Sequence, residues 1–166
     1  MRDQVPASLG GFFAAVSLSG SAAFLLPASV IAVLTLLFAG RRFEALLMGA
    51  SMLTAPLRVY GLKAAVGRAR PRLWETQTYW GSSFPSGHTL SAAAFATAAA
   101  LCLARVWPRS ATPATMAALL WTALVAVSRL VLGVNWPSDV LAAMCLGVFI
   151  PLLFSVLFDQ RIGGHR

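Results

Sequence analysis

Long apolar stretches dominate this chain, and they restrict its fold more than any other feature of the sequence. A helix needs about 20 mostly apolar residues to cross the roughly 30 Å hydrocarbon core of a bilayer. Five stretches have about that length: 21–39, 43–62, 87–106, 112–132 and 137–158. Because a backbone in hydrocarbon must satisfy its own hydrogen bonds, these stretches are predicted to be helices. The expected fold is an all-α, polytopic membrane helix bundle with five spanning helices.

The composition supports a membrane as the solvent around most of the protein surface. Hydrophobic residues make up 58% of the 166 residues and charged residues only 11%, whereas soluble domains carry about 25% charged residues. The length fits one integral membrane domain over residues 1–166. The formal charge of +8 comes from basic residues near the ends of apolar stretches. This placement favours contact with anionic lipid headgroups over a nucleic-acid partner.

The segment 5–20 is apolar but too short to form a full span before residue 21. We interpret it as a short interfacial or re-entrant helix that precedes the five spans. A sixth, short span is the alternative.

Unusual polar residues gather at one predicted end of the bundle. Five spans place the long polar connection 67–86 and the link between the last two stretches at the same end. The polar residues expected there are Lys63, Arg70, Ser86, His88, Ser128, Arg129, Asn135 and Asp139. Ionisable residues at membrane depth are costly and usually functional, so the candidate site is predicted at this end.

Three cations of this set suit a phosphate. Lys63 and Arg70 lie seven residues apart, which is about two helical turns, so both side chains can point the same way. An arginine offers a bidentate fork to phosphate oxygens, and a lysine offers a compact charge. Arg129 adds a third cation near the end of an apolar stretch. Taken alone, Arg129 also fits a side chain that snorkels to the interface.

The sequence PSGH at residues 85–88 opens the stretch 87–106. Ser86 is predicted to be the N-cap of that helix, and helix N-termini favour anions. Gly87 lets an anion approach the backbone closely. His88, in the first turn, is able to give or take a proton near neutral pH. The alternative is a capping serine beside an interfacial histidine with no catalytic role.

The third element is Ser128–Arg129 followed by Asn135 and Asp139. Asp139 lies four residues after Asn135, in the predicted first turn of the last helix, and is expected to reach back to it. Carboxylates in such positions hold a histidine in one tautomer. Asparagine, however, does not titrate and is a poor nucleophile.

Together the three elements resemble the type 2 phosphatidic acid phosphatases, or lipid phosphate phosphatases. The pattern of that family is K-x6-RP, then PSGH, then SR-x5-H-x3-D. This chain reads K-x6-RP at 63–71, PSGH at 85–88 and SR-x5-N-x3-D at 128–139. The resemblance covers residues 43 to about 158 in motif order and spacing. It implies an integral membrane hydrolase that takes lipid phosphates or diphosphates and uses no metal and no cofactor.

The resemblance also implies a role for each matching residue. The residues that would bind the phosphoryl group are Lys63, Arg70, Ser86, Gly87 through its amide, and Arg129. His88 would protonate the leaving group. The residue at position 135 should be a histidine that attacks phosphorus and forms a phosphohistidine, oriented by Asp139. The substrates that fit are phosphatidate, phosphatidylglycerophosphate and polyprenyl phosphates or diphosphates, such as an undecaprenyl diphosphate.

The chain departs from the family pattern at the attacking residue, because position 135 holds asparagine. The other histidine besides His88 is His165, in the tail at the opposite predicted end. The chain as written is therefore predicted to be inactive or nearly so. A His-to-Asn change introduced into a working enzyme is the favoured explanation. The alternatives are a natural pseudoenzyme that binds lipid phosphates, and a different nucleophile or direct attack by water.

The distribution of basic residues predicts an orientation. If Lys63, Arg70 and Arg129 serve a site and are left out, the opposite end carries more arginines. The positive-inside rule then places the polar end outside the cytoplasm. The expected location is the inner (plasma) membrane of a bacterial cell, with the site facing the periplasm or the exterior. A channel or transporter is disfavoured because the charged residues crowd one end.

Overall fold

The computed structural model describes residues 7–71 and 81–163. Within these ranges the chain is all-α, as predicted, and contains no strand. The helices are α1 (Ala7–Ser19), α2 (Ala22–Phe38), α3 (Arg42–Val66), α4 (Gly87–Val106), α5 (Ala111–Val131) and α6 (Pro137–Gly163), with a short 3-10 turn at Pro108–Ser110 before α5. The middle of the polar connection, residues 72–80, lies outside the described residues.

The observed helix bounds follow the predicted stretches closely, with two informative differences. Helix α3 continues to Val66, so that Lys63 lies inside the helix and not in the connection. Helix α6 begins at Pro137, whose fixed φ angle suits a first helical residue, and it runs beyond the predicted end at 158. Helix α4 has the predicted bounds.

Four helical segments in the described part of the chain are long and apolar enough to span a membrane. They are Arg42–Val66, Gly87–Val106, Pro108–Val131 and Pro137–Gln160. Helices α1 and α2 are bent by 42° at their break and qualify as a fifth span when they count as one. The described residues thus hold four candidate spans, or five when α1 and α2 count as one, and no sixth. The prediction made residues 21–39 a span by themselves, but α2 (Ala22–Phe38) does not qualify alone. Instead, α1 is the first arm of a broken span or re-entrant pair.

Large apolar side chains cover the outside of the bundle. Leu53, Leu57 and Leu141 are 71%, 70% and 65% exposed, respectively. Small soluble domains rarely expose such a large apolar surface to water, whereas membrane proteins expose it to the hydrocarbon of the bilayer. The exposed apolar surface thus agrees with spans that face lipid.

Helix α4 is the centre of the bundle and packs against α3, α5 and α6. Its buried residues are mostly alanines, namely Ala92, Ala93, Ala94, Ala96 and Ala98. Small side chains let membrane helices approach until their backbones nearly touch. The closest approach is to α6, where a Cβ added at Gly147 would lie 2.5 Å from the Ala93 Cβ and 2.6 Å from the Leu90 carbonyl oxygen.

This close approach makes Gly147 sensitive to one added methyl group. We expect Gly147→Ala to destabilise the fold by about 1–3 kcal/mol, since overpacking forces helix backbones apart. Gly49→Ala is the matched control, because its Cβ would meet only the Val33 Cγ2 at 3.8 Å. Thermal unfolding in detergent measures both variants. Equal unfolding temperatures for the two would contradict the close α4–α6 packing.

Candidate active site

Two glycines end the helices that lead into the polar end of the bundle. Gly67 follows α3 with φ 60°, and Gly133 follows α5 with φ 66°. Glycine enters this left-handed region without the steric cost of a Cβ. The chain therefore turns sharply after each helix, and the segments 68–71 and 134–136 run across the end of the bundle.

The segment 81–86 lies between these two turns and is bonded to both sides. The Ser83 amide donates to the Arg68 carbonyl at 2.8 Å, and the Ser86 amide donates to the Asp139 carbonyl at 3.3 Å. The Asn135 side chain donates from Nδ2 to the Ser83 carbonyl at 2.7 Å. The ends of α3 and α5 and the starts of α4 and α6 thus meet at one end of the bundle, as predicted.

A cavity of about 670 Å³ opens at this end. Six of the eight predicted site residues line it: Lys63, Arg70, Gly87, His88, Arg129 and Asn135. Ser86 and Asp139 lie behind the cavity wall, with 1% and 0% of their surfaces exposed. The α3 side chains of Val59 and Tyr60 form part of the lining, and Tyr60 is 73% exposed on the outer surface.

Lys63 and Arg70 converge on the same backbone segment, but not through the predicted helical spacing, because α3 ends at Val66 and Arg70 follows the turn at Gly67. Both donate to the Ser82 carbonyl, Lys63 from Nζ and Arg70 from Nη2 at 3.4 Å. Arg70 also donates to the Gly81 carbonyl at 3.2 Å and to the Val134 carbonyl at 2.8 Å. Arg70 therefore joins the segments on either side of the cavity while it lines the cavity itself.

Arg129 is buried, with 3% of its surface exposed. Its Nε donates to the Asn135 Oδ1 at 3.3 Å, and its Nη1 donates to the Ser17 Oγ of α1 at 2.6 Å. The third cation therefore points into the site and is not a side chain that snorkels outward. The sequence did not reveal Ser17, because one serine among several in an apolar segment carries no distinguishing pattern.

Asn135 is held in one orientation by three groups, two from the segment 81–86 and one from α5. Its Nδ2 is bonded to the Ser83 carbonyl, and its Oδ1 accepts hydrogen bonds from Arg129 and from the Ser86 Oγ, the latter at 3.3 Å. Only 5% of its surface is exposed. The amide side chain is thus a well-packed part of the cavity wall.

Two predicted contacts differ in the structure. Ser86 occupies the N-cap position of α4, but its hydroxyl does not cap the helix. The hydroxyl is instead hydrogen bonded to the Thr89 Oγ1 at 3.0 Å and to the Asn135 Oδ1. Ser86 therefore supports the asparagine from behind.

Asp139 lies in the first turn of α6, as predicted, but among the described residues its carboxylate is not bonded to Asn135. It accepts from Arg68 Nη1 at 2.8 Å and from the Trp136 amide at 2.9 Å. The Asn135 Nδ2 donates to the Ser83 carbonyl, and both carboxylate oxygens of Asp139 are bonded to other groups. The prediction that Asp139 reaches back to residue 135 is therefore wrong for the asparagine-containing chain.

Arg68 is a second contributor that sequence reasoning missed. Besides Asp139, its Nη1 donates to the Ser138 Oγ at 2.7 Å, and its guanidinium lies 5.5 Å from the centre of the Trp136 ring. The Trp136 Nε1 donates to the Ala69 carbonyl at 3.0 Å. Together these contacts tie the end of α3 to the start of α6. The neighbouring Arg70 belongs to a known motif, and nothing in the sequence separated Arg68 from the other arginines of the connection.

The electrostatic character of the cavity is set by Lys63, Arg70 and Arg129, which all line it. The carboxylate of Asp139 is buried behind the wall and paired with Arg68. Like charges that are held around one concave surface create a positive potential there. Backbone amides at the start of α4 add to it, because helix N-termini carry a partial positive charge. The arrangement is chemically suited to an anion with several oxygens.

Known proteins with similar sequences are bacterial membrane-lipid phosphatases by name. Phosphatidylglycerophosphatase B of Bacillus subtilis (strain 168) is 32% identical over 152 residues, which cover 89% of this chain and 73% of that protein. Phosphatidylglycerophosphatase B of Escherichia coli (strain K12) is 41% identical over 91 residues, or 55% of this chain. The matched part spans only 34% of the E. coli protein.

A solved structure shares the fold along nearly the whole chain. It is the crystal structure of a transmembrane PAP2-type phosphatidylglycerolphosphate phosphatase from Bacillus subtilis, with a TM-score of 0.87 at 29% identity. The match covers 96% of this chain and 80% of that one. The family model of the PAP2 superfamily matches residues 44–162. On the strength of that match and of the B. subtilis relative, the chain belongs to the PAP2 superfamily.

Proposed function

We propose that this protein is a membrane phosphatase scaffold for lipid phosphates or diphosphates whose attacking position is occupied by Asn135. The observation that carries the proposal is the shared cavity of Lys63, Arg70 and Arg129 at one end of a membrane helix bundle. Three cations around a single cavity match the charge of a phosphoryl group, and arginine forks match its oxygens. The printed names of two relatives, both phosphatidylglycerophosphatases, support a lipid phosphate as the ligand.

In the proposed reaction, a histidine at position 135 attacks phosphorus while the bond from phosphorus to the leaving oxygen breaks. The three cations, the Ser86 hydroxyl and the Gly87 amide stabilise the charge that develops on the phosphoryl oxygens. His88, on the cavity wall, donates the proton that the leaving oxygen needs. Water then attacks the phosphohistidine and releases inorganic phosphate. Asp139, which pairs with Arg68 and is not hydrogen bonded to residue 135, favours the imidazolium through its buried negative charge behind the wall.

With asparagine at position 135, the first step has no nucleophile. The amide nitrogen of Asn135 has no available lone pair, and it is bonded to the Ser83 carbonyl. The chain as given is therefore proposed to bind its ligand without turning it over. A natural pseudoenzyme that binds lipid phosphates is the second candidate, and the asparagine itself is the observation that favours it.

The shape of the cavity supports a ligand that arrives from the bilayer. Tyr60 lines the cavity and is largely exposed on the lipid-facing side of α3. A headgroup held by the cations therefore leaves its hydrocarbon chains beside α3. Phosphatidate, phosphatidylglycerophosphate and polyprenyl diphosphates share this chemistry. We place the protein in the inner (plasma) membrane of a bacterial cell, with the cavity facing the periplasm or the exterior, from the arginines at the other end.

A binding experiment with the chain as given tests the ligand class. We expect dioctanoyl phosphatidate to bind in detergent at least about tenfold more tightly than dioctanoylglycerol, because each charge-assisted hydrogen bond contributes about 1.5–3 kcal/mol. Isothermal titration calorimetry measures both affinities, and inorganic phosphate should compete with the first lipid only. Equal affinity for the two lipids would show that the cavity does not recognise phosphate.

A further inference from the structure

The break between α1 and α2, residues 17–21, lies directly against the candidate site. Ser17 contacts Arg129 of α5, and Ser19 accepts a hydrogen bond from the Trp121 Nε1 of α5 at 3.0 Å. Gly20 sits beside α4 and α5. We call residues 17–21 the α1–α2 junction. It lies outside residues 44–162, the segment that the family model covers.

The contact between Ser17 and Arg129 is buried on both sides. The two residues are 4% and 3% exposed, and the Nη1 of Arg129 lies 2.6 Å from the Ser17 Oγ. A guanidinium is planar, with its donors in a fixed fork. Because Nη1 is held at Ser17 and Nε at Asn135, the plane of the guanidinium is fixed by two bonds in different directions. The bond to Ser17 is thus one of the contacts that orient the arginine relative to the cavity.

Gly20 shows how closely the junction approaches the site. A Cβ added at this position would lie 2.8 Å from the Val125 Cγ1 and 3.2 Å from the His88 carbonyl oxygen. Val125 is on the same helix as Arg129, one turn earlier, and His88 lies in the first turn of α4. The junction therefore touches both helices that carry these site residues.

We propose that Ser17 is a positioning residue for Arg129 and that the α1–α2 junction completes the phosphate site from outside the matched family segment. The bond to Ser17 keeps the guanidinium oriented toward a phosphoryl group in the cavity. This inference rests on the proposed function for its kinetic test. It is also measurable through anion binding, which requires no turnover.

The test is a double-mutant cycle between Ser17→Ala and Arg129→Lys in the Asn135→His background. If Ser17 acts through the guanidinium, Ser17→Ala lowers kcat/KM about tenfold beside Arg129 but less than about threefold beside a lysine, which lacks the fork. Ser29→Ala on α2 is the matched control, since Ser29 is buried and its hydroxyl donates to the Leu26 carbonyl of its own helix at 2.8 Å. A purely structural role for Ser17 would give the same loss in both backgrounds and would overturn the proposal.

The binding of inorganic phosphate to the chain as given provides the second measurement. We expect Ser17→Ala to weaken this binding about tenfold and Ser29→Ala to change it little. If Asn135→His releases no phosphate while Ser17→Ala still weakens phosphate binding, the proposed enzymatic function fails and the role of Ser17 stands. If no variant binds phosphate, or if the two serine variants behave alike, the positioning role is refuted.

Gly20 offers an independent check on the junction. Gly20→Ala should weaken phosphate binding several-fold, because the added methyl group pushes the junction away from α4 and α5. Gly11→Ala is the matched control on α1, since its Cβ would meet nothing within 4 Å. Equal phosphate affinities for the two glycine variants would show that the α1–α2 junction does not contribute to the phosphate site.

Discussion

Replacing Asn135 with histidine is expected to raise phosphate release from lipid phosphates by on the order of 10⁴-fold, since enzymes that lose a nucleophile lose about 10⁴ to 10⁶ in rate. The substitution introduces a nitrogen nucleophile into the cavity that three cations and His88 also line. The side chains of Lys63, Arg70, Ser86 and Arg129 are already hydrogen bonded around this position. Release of inorganic phosphate from phosphatidate, phosphatidylglycerophosphate and a polyprenyl diphosphate in detergent measures the gain.

The surroundings of Asn135 suit an imidazole. The Ser83 carbonyl, which accepts from the Asn135 Nδ2 at 2.7 Å, is able to accept the N–H of a histidine ring. That bond would leave the second ring nitrogen unprotonated and available to attack. Asn135→Gln is the matched control, because it keeps an amide at the same position and is expected to stay inert. Folding of each variant is followed by its unfolding temperature.

The outcome separates the three explanations for the asparagine. Strong phosphate release by the histidine variant, with an inert parent, supports a working enzyme altered at one position. A folded histidine variant that binds phosphatidate but stays inert favours a natural pseudoenzyme. A parent that already releases phosphate at a rate similar to the histidine variant would mean that another group attacks. In that case the role of residue 135 is wrong.

Removal of the buried positive charge of Arg129 is expected to have the second largest effect on phosphate release. In the Asn135→His background, Arg129→Gln is expected to lower kcat about 100- to 1,000-fold, as removal of one transition-state donor does in other enzymes. The kcat of Arg129→Lys should lie between those of Arg129→Gln and the unsubstituted arginine, because lysine keeps the positive charge but lacks the bidentate guanidinium. The glutamine leaves Ser17 a polar neighbour, so that the cavity wall retains hydrogen-bonding groups.

Arg105→Gln is the matched control for this charge removal. Arg105 pairs with Asp159 and lies 4.0 Å from the centre of the Phe43 ring, at the other end of the bundle. Its partly exposed ion pair contributes little to stability, and we expect kcat to change less than twofold. If the two glutamine variants lose activity to the same extent, the loss does not come from the cavity charge.

Much of the fold was predictable from the sequence because membrane spans are limited by length and polarity. The bounds of α4 and the start of α6 agree with the predictions, since Pro137 and the polar residues before Gly87 mark them clearly. The bend between α1 and α2 was less predictable. An apolar segment of that length fits an interfacial helix, a re-entrant helix or one arm of a bent span equally well.

The candidate site was predictable where its residues follow a short motif and not where they come from distant parts of the chain. Lys63, Arg70 and Arg129 do share a cavity. Ser17 and Arg68, however, meet their partners across 112 and 71 positions of sequence, and no local pattern announces such contacts. The roles of these residues in catalysis stay predictions until the variants are measured.

The extension of α3 to Val66 has a consequence for how the protein responds to its membrane. Lys63 belongs to a rigid helix that faces lipid on one side, while Arg129 belongs to a different helix. Bilayers that are thicker or thinner than a helix's apolar length change its tilt. A tilt of α3 alters the distance between the ammonium and the guanidinium, so that acyl-chain length in the host bilayer becomes a variable that sets headgroup affinity.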